Sequence, residues 1–277
     1  DDLKITGGTY TVTAALDAFE ANDLIAVCGG SFTVSTNKDA FHSENDAEGN
    51  IYIADGSFTI NAKSDGVQAT AYLQIDGGTF EINSAEGLES TYVQINGGTI
   101  SISASDDGIN AANSDLVDYN YQYGITIAGG DWKVVAGGDG IDSNGNLTVS
   151  AGTTEVYCTG SGNGALDIGE GQEGEIRGSF SYTGGTLLAV GSDMLVTPQT
   201  GTYVLFGGQG ALAGKRGASS SASSIVTKGS TLKVADGTKT LYTTTAAASG
   251  SYALFLDDDI ASGTSYTLAN GNSTTTA

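Results

Sequence analysis

Residues 91–110 have the sequence TYVQINGGTISISASDDGIN, and the preceding residues 71–90 have the sequence AYLQIDGGTFEINSAEGLES. The two stretches share their apolar positions, a Gly-Gly pair and an acidic residue after it. The pair, or a close variant, recurs at Gly7-Gly8, Gly29-Gly30, Asp55-Gly56, Gly77-Gly78, Gly97-Gly98, Gly129-Gly130, Ala151-Gly152 and Gly184-Gly185. A self-similar unit of this length is typical of solenoid proteins.

Each unit alternates apolar and polar residues with the period of two that β-strands show. In residues 91–110 the repeated apolar columns contain Ile95, Ile100, Ile102 and Ile109. Three short strands per unit, stacked in register on those of the next unit, would bury one continuous core. We therefore predict an all-β fold, a right-handed single-stranded parallel β-helix with three strands per coil and about eight coils. One apolar column is aromatic and is predicted to stack inside: Tyr10, Phe32, Phe58, Phe80 and Trp132.

The charge of the chain is unevenly distributed. The 277 residues carry a net charge of −22, and residues 1–193 hold 28 of the 32 acidic residues but 5 of the 10 basic ones. This division predicts two regions, a parallel β-helix at 1–193 and a β-rich cap or side-packed region at 194–277. The acidic charge argues against a nucleic-acid partner, whose phosphates it would repel. The sequence contains no apolar run of about 18 residues, so no membrane span is predicted. No feature predicts a protein partner.

An acidic residue recurs two positions before the last apolar column of each unit. The series is Asp17, Asp39, Asp65, Glu86, Asp107 and Asp139, and a second polar series just after that column is Glu20, His42, Gln68, Glu89, Asn110, Asp142 and Asp167. Carboxylates stacked at the strand spacing of about 4.8 Å repel one another by roughly 1 kcal/mol in water and by more inside a protein. Three explanations are open: each Asp caps a turn, the pKa values of the carboxyl groups are raised, or cations are bound. We expect this edge to be exposed, which disfavours raised pKa values.

Bound calcium explains the whole series better than turn capping does, because capping leaves the repulsion between coils uncompensated. Calcium takes about six to eight oxygen atoms from carboxylates, amides and backbone carbonyls. We predict Ca²⁺ as the cofactor, with ligands drawn from Asp65, Asp107, Asn110, Asp139, Asp142, Asn144 and Asp167.

Four stretches carry a resemblance to a known family: GGTISISASDDGIN at 97–110, GGDWKVVAGGDGIDSNG at 129–145, GNGALD at 162–167 and GGTLLAVGSDM at 184–194. They resemble the bacterial calcium-containing carbohydrate-binding β-helix family, whose fold is similar to that of the family-nine pectate lyases. The resemblance covers most of the chain and implies a secreted or surface-anchored protein with its signal peptide removed. It further implies binding of acidic plant cell-wall polysaccharide such as pectin or polygalacturonate, or of cellulose, without catalysis. Gly164 and Glu86 depart from the repeated Asp pattern.

Three tyrosines alternate in an insertion at 113–124, at Tyr119, Tyr121 and Tyr123. A tyrosine ring can stack on a sugar while its hydroxyl stays in water. The three are therefore candidate substrate-binding residues, although packing of the insertion against the side of the β-helix explains them equally well.

Two other functions stay open beside polysaccharide binding. A calcium-dependent pectate lyase needs a basic residue to remove a proton beside the uronate carboxylate. Lys38 and Lys63 stand directly before Asp39 and near Asp65 and would take that role, although relief of acidic charge explains them as well. The other alternative is a surface adhesion or scaffold module without a glycan ligand.

Overall fold

The computed structural model describes residues 1–45, 47–112, 123–171, 176–208, 223–237 and 239–277. These residues form β-strands joined by turns and loops. No helix within them has the length and apolar character needed to cross a membrane.

The chain contributes its strands in the following order. The first group is β1 (Asp2–Ile5), β2 (Thr9–Ala14), β3 (Phe19–Ala21), β4 (Leu24–Val27), β5 (Ser31–Thr36), β6 (Phe41–Ser43), β7 (Asn50–Ile53) and β8 (Ser57–Asn61). The next is β9 (Asp65–Ile75), β10 (Thr79–Ser84), β11 (Glu86–Ile95), β12 (Thr99–Ala104), β13 (Ile109–Ala111), β14 (Gly124–Ala136), β15 (Ile141–Ser143), β16 (Asn146–Cys158), β17 (Leu166–Ile168), β18 (Phe180–Tyr182) and β19 (Thr186–Gly191). The last is β20 (Val204–Gly207), β21 (Thr231–Ala235), β22 (Thr240–Thr245), β23 (Tyr252–Asp257), β24 (Thr267–Asn270) and β25 (Ser273–Thr276).

Parallel pairing connects each unit to the next. One ladder runs from β1 through β4, β7, β9, β11, β14 and β16 to β18. A second runs from β2 through β5, β8, β10, β12, β14 and β16 to β19. A third runs from β3 through β6, β9, β11, β13 and β15 to β17. The predicted all-β parallel solenoid is confirmed, with about 7 turns. The number of turns is slightly lower than the eight or so coils predicted, and the right-handed winding and the three strands per coil stay predictions.

The core lies between these ladders and is filled by the alternating apolar residues. Phe58 is 1% exposed and stacks between Phe32 and Phe80, with ring centroids 4.7 and 4.3 Å away and planes within 6°. Trp132 continues the column and is 2% exposed. The interior position is confirmed for Phe32, Phe58, Phe80 and Trp132, whereas Tyr10 in the first coil is half-buried. In-register stacking brings equivalent side chains of successive coils into contact.

The C-terminal region is joined to the end of the solenoid by antiparallel pairing. Strand β23 pairs with β19 on one side and with β20 on the other. A separate sheet of 4 strands has the order β22-β21-β24-β25. Apolar residues of both parts share one buried cluster, which includes Tyr157, Leu188, Val204, Phe255 and Leu268. The division at residue 194 and the capping role stay predictions.

Glycines serve two different purposes in the coil. Gly98, the second residue of a Gly-Gly pair, has φ 98° at a corner, a conformation that residues with a side chain rarely adopt. Gly108 follows the acidic residue and has a different reason. A Cβ there would lie 2.2 Å from Val134 Cγ1 and 2.5 Å from the carbonyl oxygen of Gly140. An Asp-Gly pair in this series therefore reflects close packing between coils as well as a turn.

The two cysteines lie in separate coils and are both free. Cys28 is exposed, whereas Cys158 is buried and its thiol donates to the carbonyl of Gly138 at 3.2 Å. Burial raises the pKa of the Cys158 thiol to about 12, which keeps it in the unreactive protonated form. We expect a thiol reagent to label Cys28 rapidly in the folded protein and Cys158 only after denaturation, as measured by mass spectrometry without reductant. Fast labelling of both in the folded state would contradict the burial of Cys158.

Candidate functional site

Strand register stacks each of the two polar series of the sequence into a column. The two columns are adjacent, and together they are here called the acidic column. Its members after the apolar residue are Cα partners in consecutive strands: Glu20 with His42, His42 with Gln68, Gln68 with Glu89, Glu89 with Asn110, Asn110 with Asp142, and Asp142 with Asp167. In the other series, which lies two positions before the apolar residue, Asp65 is the Cα partner of Glu86. Equivalent positions are stacked because parallel pairing here keeps the same register from coil to coil.

Carboxylates of the acidic column accept hydrogen bonds from the next coil. Asp17 Oδ1 accepts from the amide of Asp39, and Asp39 Oδ1 accepts from the amide of Asp65, both at 2.9 Å. Asp107 Oδ1 accepts from the amide of Asp139 at 2.6 Å, and Asp139 Oδ1 from the amide of Gly164 at 2.5 Å. Each bond to a charged acceptor stabilises the fold by about 1.5–3 kcal/mol. Capping is thus part of the explanation, but these four aspartates cap the neighbouring coil rather than their own turns.

The expectation of an exposed edge is wrong for much of the acidic column. Asp39 is 2% exposed, Asp65 5%, and Asp139 and Asp167 7% each. Burial penalises an ionised carboxylate unless it is paired or hydrogen-bonded. Raised pKa values, which the sequence disfavours, therefore become part of the explanation for Asp65 and its neighbours described below.

Within the described ranges, two groups of three acidic or histidine side chains have possible ligand atoms within 4.8 Å of one another. The first is Asp17, Asp39 and His42. Lys38 Nζ donates to Asp17 Oδ2 at 2.8 Å, and His42 Nδ1 lies 3.9 Å from the same oxygen and 3.7 Å from Asp39 Oδ2. Burial opposes the charge of Asp17, but the hydrogen bonds from Lys38 and the amide of Asp39 outweigh it and lower the pKa of Asp17. This group has its own counter-charge in Lys38.

The second group is Asp65, Glu86 and Glu89, which we call the triad. Gln68 Nε2 donates to Glu89 Oε2, and Asn110 Nδ2 donates to Glu86 Oε2, both at 3.0 Å. Amides supply these two hydrogen bonds, so neither of them brings a positive charge to the triad.

Burial is the largest cause of raised pKa values in the triad. With the added repulsion of neighbouring carboxylates, it raises the pKa of Asp65 to about 6, of Glu86 to about 7 and of Glu89 to about 9. Glu89 and Asp65 also share a hydrogen bond, which holds the proton on Glu89. At neutral pH the triad therefore relieves its own repulsion by retaining protons, and a cation could replace them.

The predicted calcium ligands lie along the acidic column but fall into two sets, one at the triad and one in the later coils. Asp65 is in the triad and Asn110 is bonded to it. Asp107, Asp139, Asp142 and Asp167 occupy the later coils. Asn144 lies just beyond β15, where its backbone N–H donates to the carbonyl oxygen of Ala111. Their role as ligands stays a prediction. Asn110 Oδ1 is buried with no hydrogen-bond partner, so it offers an oxygen beside Glu86.

A cavity of about 450 Å³ lies where the acidic column ends at Asp167. Arg177 and Gln199 line it together with Asp167 and Glu170. The guanidinium of an arginine matches a carboxylate with paired hydrogen bonds. One cavity therefore contains both a carboxylate that could bind a cation and a guanidinium that could bind an anion.

The remaining candidates are the two lysines considered as catalytic bases and the three tyrosines considered for sugar stacking. The hydrogen bond from Lys38 to Asp17 raises the pKa of Lys38 and so keeps its amine protonated, which leaves no free base to remove a proton. Lys63 is exposed. Tyr119 and Tyr121 lie outside the described residues. Tyr123 is 8% exposed, so little of its ring surface is available to a sugar. Both the catalytic and the sugar-stacking roles stay predictions.

The sequence did not single out Glu86 and Glu89 as a candidate pair. Glu86 stood out only as a departure from the Asp pattern, and Glu89 only as one member of the second polar series. The signal was present in their spacing, since residues three apart in EGLE flank one inward-facing Leu88.

Comparison with known proteins addresses the function of this scaffold. The family model described as carbohydrate-binding domain-containing protein matches residues 1–118 and 89–276. No curated protein and no solved structure gives a significant match. Because the matched segments span nearly all of the solenoid and the C-terminal strands, the chain belongs to the family of carbohydrate-binding domain-containing proteins.

Proposed function

We propose that this protein binds an acidic polysaccharide, of the polygalacturonate type, through calcium ions held along the acidic column. The observation that carries the proposal is the triad with Asn110. The buried carboxyl group of Asp65 and the half-buried ones of Glu86 and Glu89 have possible ligand atoms within 4.8 Å, and the 8% exposed Asn110 adds a buried amide oxygen without a hydrogen-bond partner. A long plant cell-wall polysaccharide would meet the protein outside the cell, so we also propose an extracellular or cell-surface location.

The donor set suits calcium better than a softer metal. Asp65, Glu86, Glu89 and Asn110 offer only oxygen atoms, which calcium prefers. The group of Asp17, Asp39 and His42 suits calcium less well, since it includes a ring nitrogen and already has Lys38 as its counter-charge. In the later coils, the proposal extends to Asp107, Asp139, Asp142, Asn144 and Asp167.

Calcium also accounts for attraction between two acidic molecules. A chain with a net charge of −22 would repel a polyuronate, and divalent ions shared between carboxylates of both partners reverse that repulsion. Arg177, which lines the cavity at Asp167, would receive a uronate carboxylate there. Binding should therefore concentrate along the acidic column and at its Asp167 end.

The test is the binding of calcium and polygalacturonate oligosaccharides by Asp139→Asn/Asp142→Asn, measured by isothermal titration calorimetry. The amide oxygen introduced at position 139 can still accept the hydrogen bond from Gly164, so the double variant should fold. We expect it to weaken both calcium and calcium-dependent oligosaccharide binding by at least about tenfold. A chelator should abolish oligosaccharide binding by the wild-type protein.

The matched control is Asp2→Asn/Asp55→Asn, which removes the same charge from exposed positions outside the acidic column. It should bind like the wild type. If both double variants lost calcium and oligosaccharide affinity equally, the loss would be an effect of overall charge and not of the acidic column. Full calcium affinity in Asp139→Asn/Asp142→Asn would remove this coil from the proposed site.

A further inference from the structure

A groove of about 490 Å³ runs across a different surface of the solenoid, the outer face of the ladder that contains β10, β12, β14 and β16. Its floor includes Thr99 and Ser101 of β12 and Asp131 and Lys133 of β14, and Tyr242 of β22 lines it from the C-terminal sheet. We call it the β22 groove. Its volume is in the range of small-molecule sites, roughly 300–1,000 Å³.

A buried carboxylate fixes the two sides of the groove to each other. Glu155 is 7% exposed, and its Oε1 accepts from Tyr242 Oη and Thr244 Oγ1, both at 2.7 Å. Its Oε2 accepts from Tyr157 Oη at 2.8 Å and lies 3.1 Å from Lys133 Nζ. Burial raises the pKa of Tyr242, so its hydroxyl stays protonated and donates to Glu155. A wall held in this way loses little conformational entropy when a ligand binds.

The tyrosine and the floor offer complementary contacts to a sugar. Tyr242 is half-buried, and its ring packs on Phe255 with centroids 5.9 Å apart. An aromatic ring supported in this way offers apolar surface to the C–H groups of a sugar ring. The hydroxyl and carboxylate groups of the floor can exchange hydrogen bonds with sugar hydroxyls.

The charge of the lining discriminates between glycans. Glu81, Asp131 and Glu155 contribute three negative charges and Lys133 one positive charge, which leaves a net of −2. Lys133 is already paired with Glu155. A uronate carboxylate would meet repulsion here, whereas the hydroxyls of an uncharged sugar can donate to Glu81 and Asp131.

From these observations we infer that the β22 groove is a second glycan site, which binds a segment of a neutral polysaccharide and needs no metal ion. This site is separate from the acidic column and does not depend on the calcium proposal. Its recognition elements are the Tyr242 ring, the floor hydroxyls and the two exposed carboxylates.

Affinity electrophoresis in the presence of a chelator tests the inference. Gels containing hydroxyethylcellulose, xylan or glucomannan should retard the wild-type protein. Ser101→Arg places a long side chain in the groove at an exposed strand position. We expect it to weaken the affinity for the polysaccharide, as obtained from the retardation, at least about tenfold. Tyr242→Ala should act in the same direction. Ser103→Arg is the matched control, because Ser103 is exposed on the same strand but does not line the groove.

The outcomes separate this site from the acidic column. Under the inference, Ser101→Arg keeps wild-type affinity for calcium and for polygalacturonate with calcium. Wild-type retardation of Ser101→Arg, or equal losses in Ser101→Arg and Ser103→Arg, would overturn it. The inference would also be overturned if none of the three polysaccharides retarded the wild-type protein. A Ser101→Arg variant that lost polygalacturonate binding but kept its binding of neutral polysaccharide would overturn it as well.

Discussion

Replacing Phe58 with alanine is expected to lower the free energy of unfolding by about 3–5 kcal/mol, the usual cost of removing a buried phenylalanine. Phe58 is 1% exposed, stacks on Phe32 and Phe80, and meets Phe41 edge-on with centroids 5.8 Å apart. The coils on both sides therefore lose contacts. Urea denaturation followed by circular dichroism measures the change.

Tyr10→Ala is the control for position in the stack. Tyr10 is at the N-terminal end, is half-buried, and stacks on Phe32 alone among the rings of its column, with centroids 5.0 Å apart. Its replacement should cost less than half as much as that of Phe58. Equal losses would mean that the stack does not behave as a chain of nearest-neighbour contacts.

Much of the fold could be predicted because the signals are local and repeated. The alternation in 91–110 predicts strands, and its recurrence in 71–90 predicts in-register stacking, so the inward position of Phe80 and Ile100 followed directly. The C-terminal pairing could not be predicted in this way. Strand β23 joins β19 across 60 residues of sequence without any repeat, and antiparallel pairing between unlike strands leaves no periodic signal.

The acidic column was predictable as a row but not as a chemical environment. Register alone places Asn110, Asp142 and Asp167 next to one another. Burial depends on neighbouring segments that the pattern does not contain, so the sequence predicts an exposed edge where Asp39 and Asp65 are buried. For the same reason the proton-holding triad was missed, since a glutamate has the same formal charge in water and in a low-dielectric pocket.

The stability of the calcium-free protein is expected to fall as pH rises from about 5 to about 9. The folded triad keeps protons that the unfolded chain has lost, because burial raises the pKa of Glu86 to about 7 and of Glu89 to about 9. Where the folded state binds more protons than the unfolded state, a rise in pH lowers the free energy of unfolding. At about 1.4 kcal/mol per pKa unit the total is on the order of several kcal/mol. Melting temperatures in chelator across this pH range measure it.

Glu86→Gln/Glu89→Gln should remove most of this pH dependence, because the amides keep the shape of the side chains but cannot ionise. The double variant should be more stable than the wild type at pH 8 in chelator. Millimolar calcium should raise the melting temperature of the wild type more at pH 8 than at pH 6, since the ion must displace protons. The variant should lose most of that rise, whereas Glu48→Gln, at an exposed position, should keep it. A double variant that keeps both the pH dependence and the calcium response would place neither protons nor calcium at the triad.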